Sequence, residues 1–226
     1  IKYKKNITLN DTGDYFQVEE NNNFQNLKLN NVRFIYPGRS NEFNFKLTIE
    51  QGKYYKIIGK NGSGKSTLIK ILLGLIHPNS GEYIVNYKKL NKEEILNWQN
   101  QMAYVPQDVF LINNKEIEEI AYAVQKDKID LSLAKNVLNI VENSVNEKDK
   151  LNLNLKIKDN GNNISGGQKQ KIGIARALYL KKKILIFDES FSAIDFFTKD
   201  DIIKKLLKSN LTLIEITHDI KDIKDN

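Results

Sequence analysis

Apolar residues in this chain come in short groups with two rhythms. Leu27, Leu29, Val32, Phe34 and Tyr36 mostly alternate with polar residues. That spacing predicts a strand with one buried face and places the start of ordered structure near Leu27. Pro37-Gly38 then turns the chain. Residues 54–58, 102–105, 184–187 and 211–216 are compact, mainly apolar groups, with the length and composition of strands buried in a parallel sheet. Helical spacing predicts helices over 66–75 and 172–180. Within 115–150, Ile117, Ile120, Ala121 and Val124 share one helical face and Leu133, Val137, Leu138 and Val141 another. Strands alternating with helices imply an α/β core carrying a mainly helical insert over about 108–164. Residues 1–23 are polar, end in Asn21-Asn22-Asn23, and read as a linker or a loosely attached strand. The expected division is a linker over 1–26 and one domain over 27–226.

With 226 residues, 40% of them hydrophobic, the chain can bury a sizeable core. The apolar run 68–76 contains Lys70 and is too short to cross a bilayer, and no signal-peptide pattern opens the chain. A membrane role would therefore come through a partner or a segment outside this sequence. Ile1 in place of an initiating Met suggests an excised piece, and a trimmed tag would look the same. Cysteine is absent, which excludes disulfide and thiol chemistry. The formal charge is +7, but basic residues alternate with acids along most of the chain. That pattern is one of solvated lysines, not of a nucleic-acid surface.

The first candidate chemistry is Gly59-Lys60-Asn61-Gly62-Ser63-Gly64-Lys65-Ser66-Thr67, which fits G-x-x-x-x-G-K-[ST] between a predicted strand and a predicted helix. Glycines let the backbone N–H groups curl around a phosphate, and the helix N-terminus points at the same anion. Lys65 supplies a point charge for β- and γ-phosphates, and Ser66 a hydroxyl for Mg²⁺. The second is the pair Asp188-Glu189 at the end of the apolar strand 184–187. Alternation along that strand would point the two side chains apart. Asp188 is then the candidate for the Mg²⁺ shell and Glu189 for the base that polarises a water aimed at the γ-phosphate.

The third is Ile164-Ser165-Gly166-Gly167-Gln168-Lys169-Gln170. Ser165 followed by two glycines before a helix makes an N-cap and a second anion site, with no lysine of its own. Two copies arranged head-to-tail would use both anion sites, each closing on the other's ATP through Ser165, Gly167 and Gln168.

This segment resembles the LSGGQ signature of ABC ATPases, and the similarity covers roughly residues 27–220. The resemblance implies a P-loop NTPase core with a mainly parallel sheet, an N-terminal antiparallel β part and a helical signature subdomain. It also implies a set of roles. Tyr36 resembles the aromatic residue that stacks on adenine, and Gln107 the glutamine that reaches Mg²⁺ and senses the membrane domain. Ser192-Ala193-Ile194-Asp195 is similar to the D-loop, and His218 to the switch histidine at the γ-phosphate. Lys65, Gln107, Glu189 and His218 are thus the expected catalytic set, and Ser66, Gln107 and Asp188 the expected Mg²⁺ ligands.

Several segments look exporter-like: Asp159-Asn160-Gly161, which resembles the stretch that touches coupling helices, Val109-Phe110-Leu111-Ile112, and Ile174-Ala175-Arg176-Ala177-Leu178-Tyr179. The string 172–179 is also similar to one in oligosaccharide-lipid flippases. Lys171, Ile164 and Ser190-Phe191 depart from the usual Arg, Leu and Ala-Thr. Only eight residues follow His218, where the family continues, so either a truncated C-terminus or an unusual end is expected. The implied partners are a second copy and transmembrane domains, at the cytoplasmic face of a membrane, with no nucleic acid. A non-transport ABC protein acting on nucleic acid or ribosomes would be expected to carry two cassettes, a long coiled-coil insert or zinc cysteines, and none is present. A binding module without turnover would be expected to lack Lys65, Glu189 or His218, and all three stand in the sequence.

Overall fold

The computed structural model describes residues 2–6, 24–112, 114–142, 151, 154–158 and 161–218. Two sheets make the frame. The first runs β1 (Lys2–Asn6), β4 (Tyr54–Ile58), β9 (Thr212–Thr217), β8 (Ile184–Asp188) and β7 (Met102–Val105). It is parallel throughout except that β1 pairs antiparallel with β4. The second is antiparallel, in the order β3 (Glu42–Glu50), β2 (Asn26–Ile35), β5 (Ser80–Val85) and β6 (Lys88–Lys89).

Both faces of the parallel sheet are covered, which is why its strands read as apolar runs with little alternation. On one face, Ile184, Ile186, Ile214 and Ile216 pack with Leu68 and Ile71 of α1 (Lys65–Leu72) and with Leu29 and Val32 of β2. On the other, Leu185, Phe187 and Leu213 pack with Val137 of α4 (Leu131–Val141), Ile174 of α5 (Gly166–Tyr179) and Leu206 of α6 (Phe196–Lys208). The short helix α2 (Lys92–Trp98) sits under the antiparallel sheet side through Ile95 and Trp98.

The four predicted parallel strands stand within one residue of their expected limits. The α/β fold with an antiparallel part stands as expected, and β2 and α1 lie close to the strand and helix expected over 27–36 and 66–75, but other expectations need amendment. The ordered domain begins before Leu27: Phe24 is fully buried against Trp98, with ring centroids 5.6 Å apart, and residues 2–6 form the attached strand β1. The helix expected over 172–180 starts at Gly166, because the Ser165–Gln168 capping box initiates it six residues earlier. In α3 (Glu116–Ile120) the buried side is Glu116, Glu119 and Ile120, while Ile117 is only half-buried and Val124 is exposed. A buried Glu119 is tolerable because Arg176 Nη2 donates to it at 3.0 Å and the Ile112 N–H at 2.7 Å. β3, β5, β6, α2 and α6 were not expected from the sequence.

Candidate functional site

Residues 59–64 connect β4 to α1 at the C-terminal end of the parallel sheet. Gly64 caps α1 with a φ of 92°, and a Cβ there would stand 2.5 Å from the Phe43 ring, so both the turn and the contact demand glycine. Gly59 sits so close to Ser63 that a side chain would displace it. Lys60, Asn61 and Gly62 form the exposed rim, and the Ser63 N–H closes the turn on the Lys60 carbonyl at 3.1 Å. Lys65 is buried, and its Nζ donates to the carbonyls of Gly59 at 2.7 Å and Lys60 at 3.3 Å. Ser63 Oγ is buried with no hydrogen-bond partner among the described residues. A buried ammonium resting on backbone carbonyls beside an unsatisfied hydroxyl, at a helix N-terminus, suits an anion with several oxygens.

Ser66 is exposed one position after Lys65, and Thr67 is buried with its hydroxyl 3.2 Å from the Tyr36 hydroxyl. Tyr36 is half-buried just past β2, edge-on to Phe34 (centroids 4.8 Å apart) and to Phe43 (6.3 Å). Its ring therefore stands beside the phosphate loop, held by α1 and by two aromatic neighbours.

The carboxylate end of β8 lies on the same rim. Burial holds the Asp188 carboxyl above the usual range, and the charge on Glu189 adds to this; the Tyr104 hydrogen bond and the Lys65 charge pull it back. Tyr104 Oη donates to Asp188 Oδ2 at 2.9 Å, and burial together with Asp188 pushes the phenol pKa up. Sequence reasoning missed Tyr104, although its place as the polar-tipped residue of 102–105 was a readable signal.

Strand alternation does not separate Asp188 from Glu189. β8 stops at Asp188, and Glu189 turns into the left-handed region with φ 51°, its N–H donating to the Ile216 carbonyl of β9 at 2.9 Å. A non-glycine residue there costs on the order of 1 kcal/mol or more and persists only when its surroundings hold it. They do so through the carboxylate: Gln107 Nε2 donates to Oε2 at 3.1 Å, and His218 Nδ1 lies 3.0 Å from Oε1. Two residues from two other chain segments thus converge on the Glu189 carboxyl group.

The signature segment forms a separate cluster. Ser165 Oγ accepts from the Gln168 N–H at 3.1 Å, and Gln168 Oε1 accepts from the Ser165 N–H at 2.8 Å. A Cβ on Gly167 would come within 2.8 Å of the Ala193 carbonyl, so α5 touches the 192–195 segment backbone to backbone. Gln170 completes the junction: its Nε2 donates to Ser192 Oγ and its Oε1 accepts from the Ala193 N–H, both at 2.8 Å. Of the exporter-like segments, Asp159 and Asn160 lie outside the described residues. Arg176 binds the carbonyls of Phe110 (3.1 Å) and Glu119 (2.8 Å), joining α5 to the chain after Gln107.

The family model described as "ABC transporter" matches residues 43–192, which include the phosphate loop, Gln107, the signature and both carboxylates. The chain belongs to the ABC transporter family.

This ABC ATPase domain is 32% identical over 202 residues to the ATP-dependent lipid A-core flippase 2 of Colwellia psychrerythraea, a match spanning 88% of the chain and 35% of that relative. It is 34% identical, over 87% of its length and 35% of the relative's, to a putative export ATP-binding/permease protein of Rickettsia typhi. The ATP-binding protein EcfA1 of an energy-coupling factor transporter from Mycoplasmopsis pulmonis is 35% identical, over 87% of the chain and 75% of that relative. Among solved structures, a bacterial Atm1-family ABC exporter with ATP bound superposes with a TM-score of 0.74 at 25% identity, covering 94% of this chain and 38% of that one. The chain spans about a third of the length of the flippase and export relatives. No described helix is long and apolar enough to cross a membrane.

Proposed function

We propose that this domain binds and hydrolyses ATP as the motor of an ABC exporter, at the cytoplasmic face of a membrane. Two copies, joined to transmembrane domains, would close head-to-tail on two ATP molecules. The observation that carries the reading is Glu189, held in a left-handed turn at the C-terminal end of β8 with Gln107 and His218 on its two carboxylate oxygens. Ligands of α/β sheets sit at this end of the strands. Flippase and exporter relatives, and the exporter structure, favour export.

Lys65 would exchange the carbonyls of Gly59 and Lys60 for phosphate oxygens, and the loop N–H groups would enclose them. Ser66, Asp188 and Gln107 all offer hard oxygen atoms. Among the described residues no cluster of three His, Cys, Asp or Glu could hold a metal unaided. That set fits Mg²⁺, which is usually bound by one or two protein groups together with substrate phosphates. When bound, Mg²⁺ would supply neutralisation of the charge on the β- and γ-oxygens. Glu189 would orient and polarise the attacking water. His218 engages Glu189 through Nδ1, which leaves Nε2 available to the γ-phosphate. Ser165, Gly167 and Gln168 of the second copy would close the other side of the phosphate.

Tyr36 would stack on adenine. Tyr36→Ala is expected to weaken ATP by about 1–3 kcal/mol, the scale of base–aromatic stacking. Tyr36→Phe, which loses only the bond to Thr67, should stay near wild type. Titration with a fluorescent ATP analogue reads both; unchanged affinity in the alanine variant would remove Tyr36 from the adenine site.

The experiment for the whole reading is the ATPase rate as a function of protein concentration. Because each site needs the signature of a second copy, activity per chain should rise faster than linearly, from a nucleotide-free protein that light scattering shows as a monomer. Flat specific activity over a wide range, with a persistent monomer, would refute the two-copy site.

A further inference from the structure

We propose that Ser190 is a positioning residue that pins the start of the Gln107 segment to the catalytic end of β8, and so sets where Gln107 stands for metal binding. The inference rests on the ATPase reading above and goes beyond it, because it gives a role to a buried hydroxyl that the reading does not use.

β7 and β8 pair in parallel as far as Val105↔Phe187. One residue past Asp188 the ladder partner is lost, since Glu189 turns left-handed and donates its N–H to β9 instead. Val105 is the last residue of β7 in the ladder, and Pro106 lies beyond the point where β8 turns away. Ser190, fully buried, fills the gap with its side chain: its Oγ lies 2.7 Å from the Val105 carbonyl, 3.4 Å from that of Pro106 and 3.2 Å from that of Asp188. A hydroxyl has one proton, and the distances assign it to Val105.

No water competes at a site without solvent exposure, so the tie is made in low dielectric and is costly to break. Gln107 follows two residues after Val105, and its amide reaches Glu189 at 3.1 Å. Ser190 thereby extends the β7–β8 zipper past the point where backbone geometry ends it. An alanine at 190 would remove the side-chain bond to the Val105 carbonyl, and would let the Gln107 segment drift from Asp188 and Glu189.

Two measurements on Ser190→Ala test this. The first is hydrogen exchange of the metal-free, nucleotide-free protein. Exchange over residues 107–112 should accelerate about tenfold, the factor that accompanies some 1.4 kcal/mol of lost stabilisation, while peptides of α1 stay unchanged. The second is the Mg²⁺ concentration that half-saturates ATP hydrolysis. It should rise on the order of tenfold, the usual effect of removing a group that orients a metal ligand, with Mg²⁺-free affinity for a fluorescent ATP analogue unchanged.

Ile202→Val, a core change on α6, controls for lost stability and should shift neither quantity. Wild-type exchange over 107–112 in Ser190→Ala would overturn the pin. So would an unchanged Mg²⁺ requirement in Ser190→Ala beside a raised one in Gln107→Ala. If Gln107→Ala also leaves the Mg²⁺ requirement unchanged, the metal role of Gln107 falls and, with it, the positioning role given to Ser190.

Discussion

Glu189→Gln is expected to bind ATP with wild-type affinity while turnover falls by roughly 10²–10⁴, the usual worth of a positioned general base. The substitution keeps the size of the side chain and an oxygen that can still accept from Gln107, so the left-handed turn at φ 51° should survive. What is lost is the negative charge that polarises water. In the proposed site the phosphates would be held elsewhere, by Lys65 and the loop N–H groups, so binding should not weaken. With hydrolysis blocked, two ATP molecules should remain between two copies. Gel filtration should then show a dimer with ATP–Mg²⁺ and a monomer with ADP. His218→Ala should lose turnover as well, because it removes the group on the second carboxylate oxygen. Wild-type hydrolysis by Glu189→Gln, in a phosphate-release assay, would discard the catalytic assignment and leave the fold standing.

Lys65→Ala is expected to abolish useful ATP affinity. Lys65 is a buried ammonium already desolvated by the loop that holds it, so its charge acts on the phosphates at low dielectric. Removing one member of such a buried charged pair costs about 2–5 kcal/mol, which is roughly 30- to several thousand-fold in affinity. The variant should fold, since the two carbonyls it releases lie on a loop whose rim is exposed. Nucleotide titration beside a thermal melt separates the two effects: an unchanged affinity in a folded variant would take the phosphate loop out of the account.

The parts of this fold that were legible in the sequence are those where one physical demand dominates. A strand buried on both faces must be apolar along its length, and 184–187 shows this without any partner. The phosphate loop is legible because its glycines answer local backbone needs, as Gly64 does at φ 92°. The antiparallel sheet was only half legible. Phe43, Phe45, Leu47 and Ile49 of β3 alternate with polar residues, a readable strand signal that was missed, whereas the bulge between Leu29 and Val32 breaks the alternation of β2. α6 has a strong apolar stripe at Ile202, Ile203, Leu206 and Leu207, but it opens on Phe196-Phe197, which stand in solvent, and this obscured its start. Glu119 reads as a surface acid until Arg176, 57 positions away, is seen to reach it. The sequence singled out Gln107, Glu189 and His218, which the fold brings together, but not the turn at Glu189. The divergence of the two carboxylates comes from a hydrogen bond to Ile216, and a strand pattern carries no trace of it.

The junction made by Gln170 has a mechanical consequence. Its amide holds Ser192 and Ala193 with both of its polar atoms, and the Ser192 N–H in turn lies 3.2 Å from the Glu189 carbonyl. The serine and glycines that open α5 are therefore geared, through two short links, to the backbone of the glutamate. In the proposed head-to-tail pair those two ends would belong to different nucleotides. A chain that leaned toward its neighbour's ATP would then also reset the glutamate over its own, so that the timing of one site would be written into the posture of the other.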